Sequence, residues 1–250
     1  MLETLETKRL ILRSFKEGDE ESIFLWASDS KVSEYLTWKP HKDIEETKKI
    51  LSYWLEEYSK KETVRFAITL KENNLLIGGI DVVKIISGTP VIGYNLNRNY
   101  WNKGYMSEAL SSMKSFLFKK GYKTLILEAF QPNIPSNKVI LKNGGELVGT
   151  HPLYCPSKDK ILEVNSYLIK ESPKEEMLNR VEELHTTPMG YIRINSIFQK
   201  DDECISYIKE ILKDPSTDVI RLGKNYYLYC KDYIVTINAS SFTIITARNR

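Results

Sequence analysis

Residues 100–110 read Y-W-N-K-G-Y-M-S-E-A-L. A lone glycine, Gly104, stands just before an amphipathic run that begins at about Ser107. The apolar residues of that run share one helical face: Ala109, Leu110, Met113, Phe116 and Leu117. A glycine at such a place lets the backbone turn tightly, and it lets a bulky anion approach the first free N–H groups of a helix. The stretch therefore predicts a loop and a helix start that bind an anion.

The composition is that of an ordinary globular chain. Its 250 residues are 42% hydrophobic and 28% charged, which suffices for one medium domain and one small one. The longest apolar runs are of strand length, well below the ~20 residues that span a bilayer. The N-terminus lacks the basic and apolar regions of a signal peptide, so we expect a cytoplasmic protein without a membrane partner.

Cysteine usage and charge indicate neither a disulfide framework nor a nucleic-acid partner. Cys155, Cys204 and Cys230 are odd in number, widely spaced and without a CxxC pair or a clustered histidine. They predict three buried thiols and no metal site. The net charge of +3 is too small to indicate nucleic acid.

Periodicity predicts the elements of the first 170 residues. Alternation in T-K-R-L-I-L-R-S-F predicts a strand with Leu10 and Leu12 on one side. Helices are predicted from Asp19 through Trp26 and over 43–59, and a short one is capped by Ser136. Further strands are predicted at 64–70, 76–85, 91–96, 125–130 and 162–170.

This order of elements is typical of helices around a mostly antiparallel sheet, an α+β arrangement. Residues 171–177, E-S-P-K-E-E-M, are polar and predict a linker. Beyond them come a helix into E-E-L-H-T-T, a helix from about Asp202 to Leu212, and then short strands. We therefore predict domains at 1–172 and 178–250. The second is small enough that we expect it to dock onto the first domain or onto another chain.

Four motifs in chain order resemble the GCN5-related N-acetyltransferases (GNAT), in the branch similar to the ribosomal-protein alanine acetyltransferases. They are T-K-R-L-I-L-R (7–13), V-I-G-Y-N-L (91–96), W-N-K-G-Y-M-S-E-A (101–109), and N-I-P-S (133–136) with K-N-G (142–144). The resemblance runs from about residue 5 to residue 170. It implies a mixed, mostly antiparallel sheet flanked by helices. It also implies acetyl transfer from acetyl-CoA to a primary amine by direct attack on the thioester.

The resemblance also implies which residues bind acetyl-CoA, the cosubstrate. The pyrophosphate would lie on the amides of one loop: Asn102, Lys103, Gly104, Tyr105, Met106 and Ser107. Tyr94, Asn95 and Leu96 occupy the splayed strand that binds the pantetheine arm as an extra strand would. The Leu96 amide would polarise the thioester carbonyl.

The N-I-P-S motif would contribute Asn133 and Ser136 to the same site. Asn133 matches the family asparagine that hydrogen-bonds the pantetheine side. The alternative reading is an asparagine that only starts the turn before the Ser136 cap.

The familiar acid and base of the family are absent. Val91 stands where a carboxylate often precedes the I-G-Y strand, the usual acid tyrosine aligns near Ile140, and Gly145 replaces a frequent phenylalanine. Either other groups or water carry the protons, or the domain binds acyl-CoA without turning it over.

Two carboxylates on strands that border the expected cleft are candidate bases. These are Asp81 and Glu128, with Tyr94 and His41 behind them. Glu108, near the helix start, is expected to complement the helix dipole.

The aromatic residues Tyr35 and Trp38 lie where the branch forms its acceptor pocket. Core packing is the alternative for both.

The C-terminal part resembles a small bacterial domain family of unknown function, which supplies no activity. From Pro173 onward eleven basic residues balance eleven acidic ones, so no nucleic-acid footprint is predicted. Fold-level analogy with small RNA-cleaving toxins would use His185, Thr187, Arg193 and Arg248. A role in acceptor recognition or homodimer formation is the favoured reading.

The sequence thus predicts an N-acetyltransferase for a protein N-terminus or a small-molecule amine, with the N-terminus favoured by the branch. The alternative is a non-catalytic acyl-CoA-binding or interaction module with an RNA-related C-terminal domain. The missing acid and base favour the alternative, whereas the intact loop and helix favour the enzyme.

Overall fold

Alternating apolar residues build a large sheet in the first part of the chain. The computed structural model describes residues 2–60, 63–200 and 203–250, which divide into units 1–170 and 171–250. The described strands of the first unit are β1 Leu5–Glu6, β2 Leu10–Arg13, β3 Arg65–Leu70, β4 Leu76–Ile86, β5 Thr89–Leu96, β6 Thr124–Phe130, β7 Glu146–Cys155 and β8 Lys160–Lys170. They form one sheet in the order β1-β2-β3-β4-β5-β6-β8-β7. All neighbours are antiparallel except β5 and β6, which are parallel.

Helices cover both faces of this sheet. They are α1 Glu20–Ala27, α2 Ile44–Glu57, α3 Tyr105–Lys119 and α4 Ile134–Lys142. On one face Leu110 and Met113 of α3 pack with Ile68 and Leu127 of the sheet, all of them buried. On the other face the buried residues of α1 and α2 pack against β3 and β4. The predicted mixed, mostly antiparallel sheet flanked by helices is confirmed.

Three local predictions need correction. Helix α3 begins at Tyr105 rather than at Ser107, because Gly104 is its N-cap residue, with φ +80°. Helix α4 is capped by Asn133, whose side-chain oxygen accepts from the Ser136 N–H, so Ser136 lies inside the helix. The prediction also missed β7, whose residues are almost all exposed and therefore show no alternation.

The second unit packs helices on a small antiparallel sheet. Its helices are α5 Pro173–Asn179, α6 Pro188–Phe198 and α7 Cys204–Lys213. Its described strands are β9 Asp218–Leu222, β10 Asn225–Tyr229, β11 Tyr233–Asn238 and β12 Ile244–Asn249, in the order β12-β11-β10-β9. Its core is built around buried residues such as Ile194, Ile208, Leu228 and Phe242.

Residues 171–177 are not a linker, because α5 begins at Pro173. Ser172 and Glu175 form a reciprocal capping box at its start. The helix predicted to run into E-E-L-H-T-T ends earlier, at Asn179, and a short 3-10 turn follows at Val181–Glu183. Helix α6 was not predicted, and the expected start of α7 at Asp202 lies outside the described residues.

The three cysteines are free and buried, as predicted. Within residues 2–60, 63–200 and 203–250, no helix has both the length and the apolar character to cross a bilayer. The same residues contain no group of three or more His, Cys, Asp or Glu side chains arranged to hold a metal ion.

Candidate active site

The sheet opens between β5 and β6. In the described chain these parallel strands pair at two positions, Val91 with Ile126 and Ile92 with Leu127. Beyond Ile92, β5 continues to pair with β4, whereas β6 continues to pair with β8. A wedge-shaped gap therefore separates residues 93–96 from residues 128–130. Main-chain groups on the gap side of β5 have no strand partner there.

The main-chain groups of Leu96 point into this gap. The N–H of the next residue, Asn97, donates to the Ile77 carbonyl oxygen on the β4 side at 2.8 Å. Because main-chain groups alternate along a strand, the N–H and C=O of Leu96 point to the opposite side. The Leu96 oxygen accepts a hydrogen bond from Trp101 Nε1 at 2.7 Å, which leaves the Leu96 N–H facing the gap.

The predicted anion loop lies at the start of α3. Asn102 and Gly104 both have left-handed backbones, with φ of 59° and 80°. The first main-chain bond into the helix runs from the Glu108 N–H to the Gly104 oxygen at 3.1 Å. No side chain of the described residues caps the helix, so the N–H groups of Tyr105, Met106 and Ser107 are open to an acceptor. Residues 102–104 are exposed, as an anion site requires.

Thr7, Arg9 and Glu108 form a hydrogen-bonded clamp that contacts this loop. Glu108 Oε1 accepts from the Thr7 hydroxyl at 2.6 Å and from the Arg9 main-chain N–H at 2.8 Å. Glu108 Oε2 accepts from Arg9 Nε at 2.7 Å. Arg9 also donates from its guanidinium to the Lys103 carbonyl oxygen at 2.9 Å and stacks on the Tyr105 ring. The clamp therefore joins the turn that precedes β2, residues 7–9, to the glycine loop.

The clamp changes the interpretation of Glu108 and adds Arg9 to the site. Burial raises the pKa of Glu108, but the hydrogen bonds from Thr7 and Arg9 outweigh it and leave the pKa below its ordinary value. The carboxylate binds two residues of the N-terminal segment, whereas the sequence suggested only complementation of the helix dipole. Arg9 was missed because its partners lie about a hundred residues away in the chain.

The motif residues of α4 are tied to β5 and β8. Tyr94 Oη lies 2.8 Å from Ser136 Oγ, and burial raises the pKa of Tyr94 to about 12. The side-chain oxygen of Asn133 caps the helix, which agrees with the alternative that this residue starts the turn before α4. Its side-chain NH₂ group has two hydrogen-bond donors. Asn137 anchors the helix with buried bonds to Phe130 and Tyr167.

The K-N-G turn after α4 contacts the loop helix. Asn143 Nδ2 donates to the Ser107 hydroxyl at 3.0 Å and to the Val139 carbonyl at 2.8 Å. Gly145 follows, and a Cβ atom there would lie 2.5 Å from Ile140 Cγ2. The buried Ile140 therefore excludes a side chain at the position where many family members have phenylalanine.

The two candidate carboxylates flank Gly93 on one face of the sheet. Asp81 lies opposite Gly93 in β4, and Glu128 directly follows the last β5–β6 pair in β6. Residues that are neighbours across a sheet share a face, so both side chains stand on the same side. Asn95, two residues along β5, is on this face too, and its side-chain oxygen is buried without a partner among the described residues.

Asp81 is engaged in an ion pair. Arg65 Nε lies 3.1 Å from Asp81 Oδ2, and both side chains are about one fifth exposed. Burial raises the pKa of Asp81, and the Arg65 guanidinium works against that rise. Asp81 is therefore held by a structural partner and is the weaker candidate for a base.

Glu128 is held less tightly. Its carboxylate lies 3.9 Å from Lys84 Nζ and 3.7 Å from His151 Nε2, both beyond hydrogen-bond distance. Its side chain is 25% exposed, so a small molecule in the gap could reach it. His151 was missed in the sequence because it lies on β7, the strand that the pattern did not predict.

The predicted acceptor aromatics occupy different surroundings. Tyr35 faces Phe130 at a ring distance of 6.4 Å, on the face that carries Glu128. Trp38 packs against Trp26 in the core under α1 and α2, with His41 5.5 Å away. Burial lowers the pKa of His41, and its Nδ1 lies 2.8 Å from the Thr47 hydroxyl, so His41 takes part in packing rather than in the gap.

The polar candidates of the second unit do not form one cluster. Thr187 is the N-cap of α6, where its hydroxyl accepts from the Gly190 N–H. His185 Nε2 lies 3.1 Å from the Thr243 hydroxyl. Arg193 is exposed on α6, and Arg248 lies opposite Ile234 in the small sheet.

Each of the two units matches a known protein family. A profile described as an acetyltransferase (GNAT) domain matches residues 9–146, and one described as a protein of unknown function (DUF3781) matches residues 178–248. The uncharacterised N-acetyltransferase YnaD of Bacillus subtilis (strain 168) is 31% identical over 169 residues. That match covers 67% of this chain and 96% of YnaD.

Solved structures resemble the first part of the chain. A GNAT-family acetyltransferase from Bacillus anthracis has a TM-score of 0.59 and 27% identity, covering 67% of this chain and 98% of its own. RimL, a ribosomal L7/L12 alpha-N-protein acetyltransferase in complex with coenzyme A, has a TM-score of 0.60 and 21% identity, with the same coverages. At that identity the likeness to RimL shows the fold alone.

Proposed function

We propose that this chain, which belongs to the GNAT acetyltransferase family, transfers an acetyl group from acetyl-CoA to a primary amine. The observation that carries the proposal is the gap between β5 and β6, next to the uncapped start of α3. A strand gap with free main-chain groups suits an extended amide-containing arm. A helix start with open N–H groups suits a pyrophosphate.

The residues that would hold acetyl-CoA fit its chemistry. Residues 102–107 offer main-chain donors and the positive end of the α3 dipole to two phosphates. The left-handed backbone at Gly104 is the turn that only glycine adopts without cost, and it keeps the approach open. Tyr94 and Leu96 offer main-chain groups to the pantetheine arm, whereas those of Asn95 between them point toward β4. Asn133 and Ser136 would border the arm from α4. RimL, which shares the fold, was solved in complex with coenzyme A.

The reaction would need two contributions from the chain, a hydrogen-bond donor to the thioester carbonyl and a base for the amine. Acetyl-CoA supplies the acetyl group as a thioester, whose cleavage releases a thiol. The Leu96 N–H donates to the carbonyl oxygen on which negative charge develops. Glu128 accepts a proton from the incoming ammonium group, directly or through one water, so that the amine nitrogen can attack the carbonyl carbon. As the C–S bond breaks, the nitrogen loses its second proton, and the departing sulfur takes up one proton, directly or through water. The products are an amide, a free thiol and the proton that Glu128 accepted.

We propose a protein α-amine as the acceptor. An α-amine has a pKa of about 8, whereas a lysine amine lies near 10, so an α-amine asks less of a partly exposed carboxylate. RimL is an α-N-protein acetyltransferase, which supports this choice by analogy of fold. A small-molecule amine remains the competing acceptor, and homodimer formation remains a prediction.

A thiol-release assay tests the proposal. Purified full-length protein is mixed with acetyl-CoA and, in separate reactions, with peptides bearing free N-termini, their N-terminally blocked counterparts, polyamines and aminoglycosides. We expect thiol release with free-N-terminus peptides and none with the blocked ones. Calorimetry with acetyl-CoA is run in parallel.

The outcomes separate the two functions that the sequence left open. Binding with release on amines supports the enzyme. Binding without thiol release on any acceptor would favour an acyl-CoA-binding module. The structural reason would be that the buried, apolar Val91 and Ile140 stand where the family usually has a carboxylate and a tyrosine. Absence of binding would contradict the proposal altogether.

A further inference from the structure

We propose that His151 is a positioning residue that acts through Glu128, orienting this carboxylate at the gap and passing the proton it collects out to solvent. The inference rests on the proposed function and adds a residue that neither the family motifs nor the sequence analysis indicated. It follows from the register of three neighbouring strands. Glu128 on β6 pairs with Ser166 on β8, and His151 on β7 pairs with Val164 of β8.

The imidazole is placed between two oxygen atoms. Its Nε2 lies 3.7 Å from Glu128 Oε1, and its Nδ1 lies 3.3 Å from the Ser166 hydroxyl. A hydroxyl can donate or accept, so Ser166 can serve either tautomer of the ring. The contact of Nδ1 with Ser166 orients the ring so that Nε2 faces the carboxylate, just beyond hydrogen-bond distance. Contacts of this length commonly tighten when a substrate binds.

The side chains form a graded path from the gap to solvent. Glu128, which borders the gap, is 25% exposed, and His151, on the outermost strand, is 41% exposed. A second charged group near Glu128 is Lys84 of β4, whose ammonium is 3.9 Å away and whose side chain is 54% exposed. Since an exposed lysine is loosely held, His151 is the better-placed group to orient the carboxylate.

The proton balance of the step is simple. The acceptor ammonium gives one proton to the Glu128 carboxylate, which becomes a neutral carboxyl group. That proton passes to the neutral imidazole, regenerating the carboxylate and forming an imidazolium. The imidazolium then loses the proton to bulk water at the exposed edge of the sheet. Imidazole suits this shuttle because histidine is the side chain that ordinarily changes charge near neutral pH.

The other titratable groups near the gap are less suitable. Asp81 is paired with Arg65 at 3.1 Å, and His41 lies 2.8 Å from Thr47 in the α1–α2 core. Tyr94 is bonded to Ser136 on the opposite face of the sheet. Glu128 and His151 are therefore the pair through which a proton can leave.

A first test uses the free protein and no turnover. The chain has three histidines, so the imidazole resonances can be assigned by comparing wild type with His151→Gln. In Glu128→Gln we expect the His151 resonances to shift and those of His41 and His185 to stay. Unshifted His151 resonances would show that the two side chains are not in contact and would overturn the inference.

A second test uses kinetics on the full chain with acetyl-CoA and an acceptor that wild type acetylates. We expect Glu128→Gln to lower kcat about 10²-fold and His151→Gln to lower it about tenfold, each with an altered pH profile and unchanged acetyl-CoA affinity. If His151 acts through Glu128, the double variant should be no slower than Glu128→Gln alone. Imidazole added to the buffer should restore part of the rate of His151→Ala.

His185→Gln in the second unit is the matched control, and we expect it to behave as wild type. A double variant that loses the product of both factors, or a His151→Gln protein with wild-type kcat and pH profile, would overturn the inference while leaving the proposed function intact. A wild-type protein that acetylates no amine would instead contradict the proposed function, and the resonance test would then decide the His151 contact separately.

Discussion

Replacing Glu108 with glutamine should lower the stability of the first unit and, if the proposed loop binds acetyl-CoA, the affinity for acetyl-CoA. The glutamine keeps one oxygen that can accept from Thr7 and from the Arg9 main chain. It cannot accept from Arg9 Nε at the other position, where an amide NH₂ would face a donor. A hydrogen bond between charged groups contributes about 1.5–3 kcal/mol net. Because the Arg9 side chain is 40% exposed, the lower part of that range applies, and we expect a loss of about 2 kcal/mol.

The size of this loss should depend on pH in a defined direction. The pKa of Glu108 is lower in the folded chain than its ordinary value of 4.5. Stability from such a group is complete above the unfolded value and is lost as the pH falls through the folded value. The difference between wild type and Glu108→Gln should therefore be constant near neutral pH and should narrow below about pH 4.5.

Thermal and denaturant unfolding of the two proteins, together with calorimetry of acetyl-CoA binding, would measure both effects. For a unit of this size, about 2 kcal/mol corresponds to a Tm drop of about 5 °C. Glu45→Gln is the matched control, because it removes an exposed pair with Lys48 on α2 and should cost less than about 0.5 kcal/mol. The reasoning would be refuted if Glu108→Gln were no more destabilising than Glu45→Gln, or if its effect did not narrow in acid.

Three further changes test the glycine loop, the turn after α4 and the division of the chain. Gly104→Val should weaken acetyl-CoA binding at least tenfold. Gly88→Val, at the same φ of 80°, should lower stability and leave the affinity unchanged. If calorimetry gave Gly104→Val the acetyl-CoA affinity of wild type, the loop assignment would be contradicted. Gly145→Ala should lower the free energy of unfolding by about 1–3 kcal/mol, because its Cβ would clash with Ile140. Gly149→Ala, with open space around the Cβ, should lower it much less. Denaturant unfolding of the two variants measures the difference. A chain ending at Ser172 should fold and keep its acetyl-CoA affinity; a folded piece without affinity would show that the second unit helps to build the site.

The sequence predicted the backbone elements on which the candidate site is built. The glycine loop, the I-G-Y strand and the helix after Gly104 depend on local backbone geometry, which short motifs encode directly. The prediction failed at boundaries where two residues compete for the same cap. Asn133 rather than Ser136 starts α4, because an asparagine oxygen reaches the N–H three residues on.

Exposed elements were the hardest to predict. Strand β7 lies at the edge of the sheet with almost every residue exposed, so its hydrophobic pattern carries no period of two. The polar stretch at 171–177 suggested a linker, although Ser172 and Glu175 already had the spacing of a capping box. In this stretch the polar composition indicates a linker and the Ser172–Glu175 spacing indicates a helix start, and the chain forms the helix.

Contacts between distant residues could not be predicted at all. Thr7 and Arg9 meet Glu108 across about a hundred residues, and Glu128 meets His151 through a strand that the pattern missed. Neither contact can be predicted from local periodicity, because each depends on the order of the strands in the sheet. The residues that orient the site were therefore visible only in the folded chain.

The two-pair junction between β5 and β6 also bears on how cooperatively the first unit opens. Of the strands described, β1 to β5 form one continuous hydrogen-bonded ladder and β6, β8 and β7 form another. The buried side chains of α3 pack in one core cluster with residues of both ladders. Amide exchange should therefore occur through opening along this junction, with the two ladders exchanging as separate blocks. A ligand arm lying along it would bridge the blocks, so that they should exchange as one.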